Sequence, residues 1–185
     1  MDFRNTERYW GLVSIILHWL VAVVVLGLFG LGLYMVELNY YDSMYKTVPY
    51  IHKSIGILLF ITVIFRLVWR VLNVTPQAME SHKAWEVSVA HWVHRTLYGL
   101  LIVLMSSGYL ISTADGRAIS VFDWFDIPSI VSGIDNLEDL AGLVHEFVAY
   151  ALISMVVLHA LGAFKHHLLD KDRTLLRMLG KNSQS

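Results

Sequence analysis

Cysteine is absent from the 185-residue sequence. Without thiols the chain can form no disulfide, no thiolate-bound zinc site, no iron–sulfur cluster and no cysteine-linked cofactor. Any metal chemistry therefore falls to histidine, of which there are nine. Charged residues are also scarce, because they make up 16% of the sequence while 56% of the residues are hydrophobic. This balance is far from that of an average soluble domain and predicts a membrane protein.

A strong net charge and a cleavable leader are missing as well. The formal charge of -1 gives no reason to expect a nucleic-acid partner. The polar stretch 2–8 leads into an apolar run that is too long for a signal peptide, so we expect this run to stay as a membrane anchor. The chain length allows about four membrane-spanning helices with short loops. We therefore expect a single membrane domain over residues 1–185.

Four apolar runs stand out along the chain. The predicted membrane spans are 12–36, 51–72, 92–113 and 140–164. Each is longer than the roughly 20 residues that a helix needs to cross the hydrocarbon core. Polar, turn-prone stretches separate the runs. The sequence therefore predicts an all-α fold class, a four-helix transmembrane bundle.

Lysine and arginine are distributed unevenly about the predicted membrane. Of the 14 cationic residues, only Lys46, Lys53 and Arg117 fall on one side. The other side carries Arg4, Arg8, Arg66, Arg70, Lys83, Arg95, Lys165, Lys171, Arg173, Arg177 and Lys181. Positively charged segments are retained in the cytoplasm. We therefore expect both the N and C termini to be cytoplasmic and the acidic third loop to lie outside.

Four of the histidines lie inside or at the mouths of the apolar runs: His18, His52, His145 and His159. Ionisable side chains within a membrane are energetically expensive and usually functional. His145 and His159 are fourteen residues apart, so on a helix they face the same way and differ in depth by about 21 Å. With the predicted topology, His18 shares a depth with His159, and His52 shares a depth with His145.

Two depth-matched histidine pairs favour two bis-histidine haem sites. A single buried histidine is as often a hydrogen-bonded packing residue as a ligand, but four in two pairs are harder to explain in that way. Structural zinc would need about four ligands in one cluster. A proton relay would be expected to include an intramembrane carboxylate, and no Asp or Glu occupies the centre of a predicted span.

Other polar residues gather at the predicted cytoplasmic ends. Arg66 and Arg70 are four residues apart and are candidates for binding haem propionates, although ordinary positive-inside charge explains them equally well. His91 and His94 share one helical face. His94 could compete as a haem ligand, but we favour a propionate or quinone contact. His166 is a second candidate quinone contact.

Two further features have plainer interpretations. Gly27, Gly30 and Gly32 could form a close-packing face for a flat macrocycle or for a neighbouring helix. His82 has no partner visible in the sequence, and we expect it at the surface.

Several short segments spread over the chain carry a family resemblance. They are His18-Trp19, the run HKSIG from His52, the run GYLIS from Gly108, His159 with the later KHH from Lys165, and DKDRTLLRM from Asp170. Together they resemble the bacterial cytochrome b561 family, which includes superoxide oxidase and is similar to the cytochrome b subunits of hydrogenases. The family's four haem ligands fall on His18, His52, His145 and His159, in agreement with the depth pairing.

The resemblance implies a cytochrome with two haems b in the bacterial inner membrane. Such a protein would transfer electrons from a donor on the periplasmic side, with superoxide as one candidate, to ubiquinone or menaquinone in the membrane. The alternative is an anchor subunit that passes electrons from a partner redox enzyme to quinone. Lys53 and Arg117 could attract an anionic donor, although nearby acids weaken such steering. The oligomeric state does not follow from the sequence.

Overall fold

A computed structural model describes residues 2–79 and 81–181 of the chain. Within these residues the elements are, in order, α1 (Leu12–Val36), α2 (Thr47–Leu72), α3 (Ala84–Thr113), β1 (Ile119–Val121), β2 (Phe125–Ile127), α4 (Leu137–Leu168) and α5 (Thr174–Met178). By length and composition, α1, α2, α3 and α4 can each cross a membrane. The predicted all-α fold class with four transmembrane helices is confirmed.

The first helix has the bounds of its predicted span, but the other three begin earlier, by four, eight and three residues respectively. Polar residues extend these helices beyond the apolar runs. At the start of α3, the backbone N–H of Lys83 donates to Oε2 of Glu86 at 2.9 Å, which satisfies one of the donors left over at a helix N-terminus. Glu138 and Asp139 lie in the first turn of α4, where negative charge interacts favourably with the helix dipole.

The chain divides into two compact units. The first unit comprises Met1–Val21, Thr62–Tyr98 and Ile153–Ser185, and the second comprises Ala22–Ile61 and Gly99–Leu152. Each of the four long helices therefore contributes one stretch to the first unit and one to the second. One histidine pair of the predicted set falls within each unit.

In the first unit, Asn5 fixes the segment that precedes α1. Its Oδ1 accepts hydrogen bonds from the backbone N–H of Gly11 at 3.0 Å and from the Ser14 hydroxyl at 2.7 Å. Its Nδ2 donates to the Val74 carbonyl at 2.9 Å. Glycine is required at position 11, because a Cβ there would clash with the backbone carbonyl of Arg4. One side chain therefore ties the N-terminal segment to α1 and to the chain beyond α2.

The short helix α5 is also held within the first unit. The guanidinium of Arg177 is buried and donates to the carbonyls of Gln77, at 3.0 Å, and of Arg8. Burial lowers the pKa of Arg177, and the two carbonyls offset part of the desolvation. Nε1 of Trp19 donates to the Met178 carbonyl at 2.8 Å.

The third loop, in the second unit, contains a β-hairpin that the sequence reading missed. Strands β1 and β2 are antiparallel, and Phe122 and Asp123 between them have φ angles of 49° and 58°. Two successive positive φ values are typical of a type I′ turn, whose central residues are usually Asn-Gly or Asp-Gly. Phe-Asp gives no such signal, so the loop sequence did not indicate strands.

The hairpin is packed onto the first half of α2. Ile119 and Val121 are buried in one cluster with Ile57. The Ser54 hydroxyl, also buried, accepts a hydrogen bond from the backbone N–H of Phe122 at 3.3 Å. The third loop is therefore folded against the helix that carries His52.

We expect Asn5→Ala to destabilise the protein by about 2 kcal/mol, because it leaves the buried N–H of Gly11 without an acceptor and removes the links to Ser14 and Val74. Thermal denaturation in detergent measures the effect. The matched control is Asn39→Ala, which removes an acceptor for the exposed N–H of Tyr41 and should change the melting temperature little. Equal shifts for the two variants would show that Asn5 does not fix the N-terminal segment.

Candidate metal centres

Three histidines of the first unit meet where α1, α3 and α4 come together. The ring centres of His18 and His159 are 6.2 Å apart, with 65° between the ring planes. His94 lies closer, with its ring centre 5.1 Å from that of His159. An Arg66 guanidinium nitrogen is 2.9 Å from Nδ1 of His18. The structure thus brings together the first predicted pair and adds a third imidazole and a guanidinium.

The hydrogen bonds in this cluster fix where the ring protons lie. A guanidinium can only donate, so Nδ1 of His18 accepts from Arg66, and a neutral His18 carries its proton on Nε2. Nδ1 of His94 is 2.7 Å from the Ala90 carbonyl, which can only accept, so this nitrogen donates and a neutral His94 has an unprotonated Nε2. His94 is therefore ready to bind a metal ion through Nε2, whereas His18 first needs Arg66 to release Nδ1.

The second unit contains the other predicted pair. The ring centres of His52 and His145 are 6.4 Å apart, with 69° between the planes. Nδ1 of His145 donates to the Leu104 carbonyl at 2.9 Å and lies 3.2 Å from the Ser107 hydroxyl. Such a second contact usually orients a metal-binding histidine and leaves Nε2 for the metal. Gly108 packs against the same ring, because a Cβ there would lie 3.0 Å from Cε1 of His145.

The ring spacing in the two pairs can be compared with that of imidazoles bound to one metal ion. Metal–imidazole bonds are about 2 Å long, so two imidazoles on opposite sides of one ion have ring centres roughly 6 Å apart. The observed 6.2 Å and 6.4 Å agree with this arrangement. The 5.1 Å between His94 and His159 is shorter than it requires. The spacing of each predicted pair is therefore compatible with two imidazoles that share one ion.

Known proteins resemble this chain over nearly its whole length. The sequence profile of prokaryotic cytochrome b561 matches residues 9–181. The chain is 46% identical to cytochrome b561 homolog 2 of Escherichia coli (strain K12), over 99% of this chain and 97% of that protein. It is 28% identical to the probable superoxide oxidase CybB of Yersinia pestis, over 95% and 98%, and 26% identical to cytochrome b561 homolog 1 of Escherichia coli (strain K12), over 96% of each.

The chain belongs to the prokaryotic cytochrome b561 family. It is therefore a multi-pass membrane cytochrome b of a family that binds haem b. Electron transport through iron is the chemistry of that family.

The residues around both pairs fit a flat macrocycle such as haem b. Glycines lie one helical turn from three of the four imidazoles, with Gly56 following His52, Gly142 preceding His145 and Gly162 following His159. Around a Cβ built on any of the three, no neighbouring atom of the described chain lies within 4 Å. Nδ1 of His52 is buried and has no hydrogen-bond partner among the described residues.

The remaining predicted site residues are divided between two places. Arg66 and Arg70 both lie over the ring of Tyr98, at 5.5 Å and 6.0 Å from its centre, so the two guanidiniums belong to the cluster around His18. His166 instead lies near two carboxylates, with its Nδ1 2.8 Å from Asp170 and 3.2 Å from Asp172.

Sequence reasoning missed several residues of this region. Leu104 and Ser107, which orient His145, gave no signal, because a backbone carbonyl acts irrespective of its side chain and serine is common in helices. Gly108 had a weak signal as part of the family resemblance. The expectation that His82 lies at the surface was wrong, since it is half-buried and hydrogen-bonded to Asp172 at 2.9 Å.

We expect Gly108→Ala to displace the His145 ring and to lower the content of bound haem b, because the added methyl group would lie 3.0 Å from Cε1 and 3.2 Å from Nδ1. Absorbance of the purified protein measures the haem content. Gly99→Ala is the matched control on the same helix, because nothing lies within 4 Å of its added Cβ. Full haem content in Gly108→Ala would contradict this role.

Proposed function

We propose that the chain is a di-haem cytochrome b that transfers electrons from a donor outside the cytoplasm to membrane quinone. His18 and His159 would bind one haem iron, and His52 and His145 the other. The observation that carries the proposal is the ring spacing of 6.2 Å and 6.4 Å in the two pairs. Haem b held by two imidazoles would supply a one-electron iron couple.

Arg66 would change partners when haem b is bound. A histidine that binds iron through Nε2 keeps a proton on Nδ1, and a protonated Nδ1 cannot accept the present hydrogen bond from Arg66. The released guanidinium, together with Arg70, is suited to bind a carboxylate such as a haem propionate. Arg66 would therefore hold His18 before the haem enters and hold the propionate afterwards.

The distribution of Lys and Arg supports cytoplasmic termini in a single membrane domain of the bacterial inner membrane. In that orientation the ends of α1 and α4 nearest His18 and His159 face the cytoplasm, and the third loop faces the periplasm. Exposed apolar side chains along the four helices, such as Val23, Ile61, Val103 and Leu158, would contact lipid.

A quinone near the cytoplasmic ends would find groups suited to its chemistry. Reduction of a quinone consumes protons, and an imidazole can donate or accept a proton. His166, near the end of α4, and His94 are the candidate contacts for ubiquinone or menaquinone. We propose that electrons enter at the His52 and His145 pair and leave to quinone from the His18 and His159 pair.

The electron donor would approach from the periplasmic side. Superoxide is one candidate, supported by the relative named as a probable superoxide oxidase. The charges of the third loop do not favour steering of an anion, because Arg117 is paired with Asp115 and this contact holds the pKa of the Asp115 carboxyl below its usual value. Lys46 and Lys53 are the other cations proposed for that side.

A second candidate function is an anchor subunit that receives electrons from a periplasmic redox partner. The acidic residues Asp123, Asp126, Asp135, Glu138 and Asp139 of the third loop and the start of α4 favour a partner with a basic surface. Turnover of the isolated chain with superoxide and quinone would support the oxidase, whereas co-purification with a redox enzyme would support the anchor.

We expect two haems b per chain in a pyridine haemochrome assay. His18→Ala and His159→Ala should remove the same haem, and His52→Ala and His145→Ala the other, because each pair shares one iron. His94→Ala is the matched control and should retain both haems. Loss of the first haem in His94→Ala but not in His18→Ala would show that His94 is the ligand instead.

We expect His166→Ala to slow reoxidation of the haems by quinone by about tenfold or more, with both haem spectra unchanged. Reduction by a membrane-impermeant donor on the outer side should be unaffected. His167→Ala is the control, because the adjacent side chain points about 100° away on the same helix. Stopped-flow traces in which His166→Ala impairs outer reduction but not quinone exchange would place the quinone at the other face.

A further inference from the structure

A second histidine cluster, away from the two pairs, lies in the first unit. It joins three segments: His82 from the chain between α2 and α3, His166 near the end of α4, and Asp172 beyond α4. Nε2 of His82 is 2.9 Å and Nδ1 of His166 is 3.2 Å from the same carboxylate oxygen of Asp172. These three ligand atoms all lie within 4.8 Å of one another. Two imidazoles thus converge on one carboxylate oxygen.

The cluster is largely shielded from solvent. The side chains of His82, His166 and Asp172 are 14%, 17% and 4% exposed. Nδ1 of His166 makes no hydrogen bond of good geometry within the described chain, although two carboxylates are within ion-pair distance. A buried imidazole nitrogen without a hydrogen bond is uncommon in a folded protein.

The carboxylate is fixed in place for a cation. The backbone N–H of Thr174 donates to Oδ1 of Asp172 at 2.8 Å, which leaves Oδ2 directed at the imidazoles. The Asp172 carboxylate is therefore oriented towards both imidazoles.

In a neighbouring cluster, a lysine ammonium neutralises the carboxylates. Glu86 and Asp170 also lie near His166, but the Lys165 ammonium is between them, 2.6 Å from Glu86 and 2.7 Å from Asp170. For Asp172, by contrast, the described residues within ion-pair distance are two histidines and no lysine or arginine. The described ion-pair partners of Asp172 are therefore both imidazoles, which can also bind a metal ion.

We propose that His82, His166 and Asp172 bind one divalent transition-metal ion of the Zn²⁺ type. Two imidazole nitrogens and one carboxylate oxygen are a common donor set for zinc, with a fourth position left for water. Tetrahedral ligands about 2 Å from zinc are roughly 3.3 Å from one another, close to the observed 2.9 Å and 3.2 Å. The ion would fasten the chain between α2 and α3, and the segment before α5, to the end of α4.

The test uses the full-length, haem-loaded protein in detergent, freed of metal with a chelator and titrated with Zn²⁺ alone by calorimetry. We expect one Zn²⁺ per chain, with an affinity that falls at least about tenfold in His82→Ala and in Asp172→Asn. His91→Ala changes an exposed histidine on α3 and should leave the affinity unchanged. Haem spectra and melting temperatures without zinc monitor the folding of each variant.

A substitution by another zinc ligand separates metal binding from a purely structural hydrogen bond. His82→Cys should retain zinc binding, because a thiolate binds the ion, while it loses the hydrogen bond of the imidazole to Asp172. The proposal is overturned if the wild-type protein takes up no stoichiometric Zn²⁺, or if His82→Ala and His82→Cys bind it alike. Neither outcome depends on haem or quinone activity.

Discussion

A polar imidazole within the apolar part of a membrane helix is expensive unless it has a partner, and this constraint governs much of the protein. In each unit two imidazoles face each other with ring centres 6.2 Å or 6.4 Å apart. That distance is too long for direct hydrogen bonding between the rings, but it suits one ion bound from both sides. Glycines one turn from three of the imidazoles keep the adjacent space clear for a planar group.

The two pairs differ in how their rings are fixed. In the second unit, His145 is oriented by a backbone carbonyl and by the close contact of Gly108, both from α3. These contacts do not need to change when a metal ion binds. In the first unit, Nδ1 of His18 accepts a hydrogen bond from Arg66. If His18 binds haem iron through Nε2, as we propose, Arg66 would have to release this nitrogen. A third imidazole, His94, lies close by.

Outside the predicted spans, order comes from a few directional contacts rather than from a large core. Asn5 ties the N-terminal segment to α1, Arg177 binds two backbone carbonyls, and Asp172 joins two histidines. Each contact links segments distant in sequence, so the non-helical parts of the first unit are held to its helices. In the second unit the hairpin performs the same task by burying Ile119 and Val121 against α2.

The sequence by itself determined the elements that depend on local pattern. Apolar runs of membrane length predicted the four long helices, and the fourteen-residue spacing of His145 and His159 placed them on one helical face, because helix periodicity is a local property.

Tertiary structure alone decided what lies beside each ring. The approach of His94 to His159, the contact of Arg66 with His18, and the Leu104 carbonyl below His145 depend on helix rotation and separation, which a single sequence does not encode in any short window. The hydrogen bond between His82 and Asp172 joins residues ninety positions apart. The hairpin turn has Phe122 and Asp123 at positive φ, without the glycine or asparagine that usually indicates such a turn. In both cases the stabilising contacts come from distant segments, so no local pattern could have indicated them.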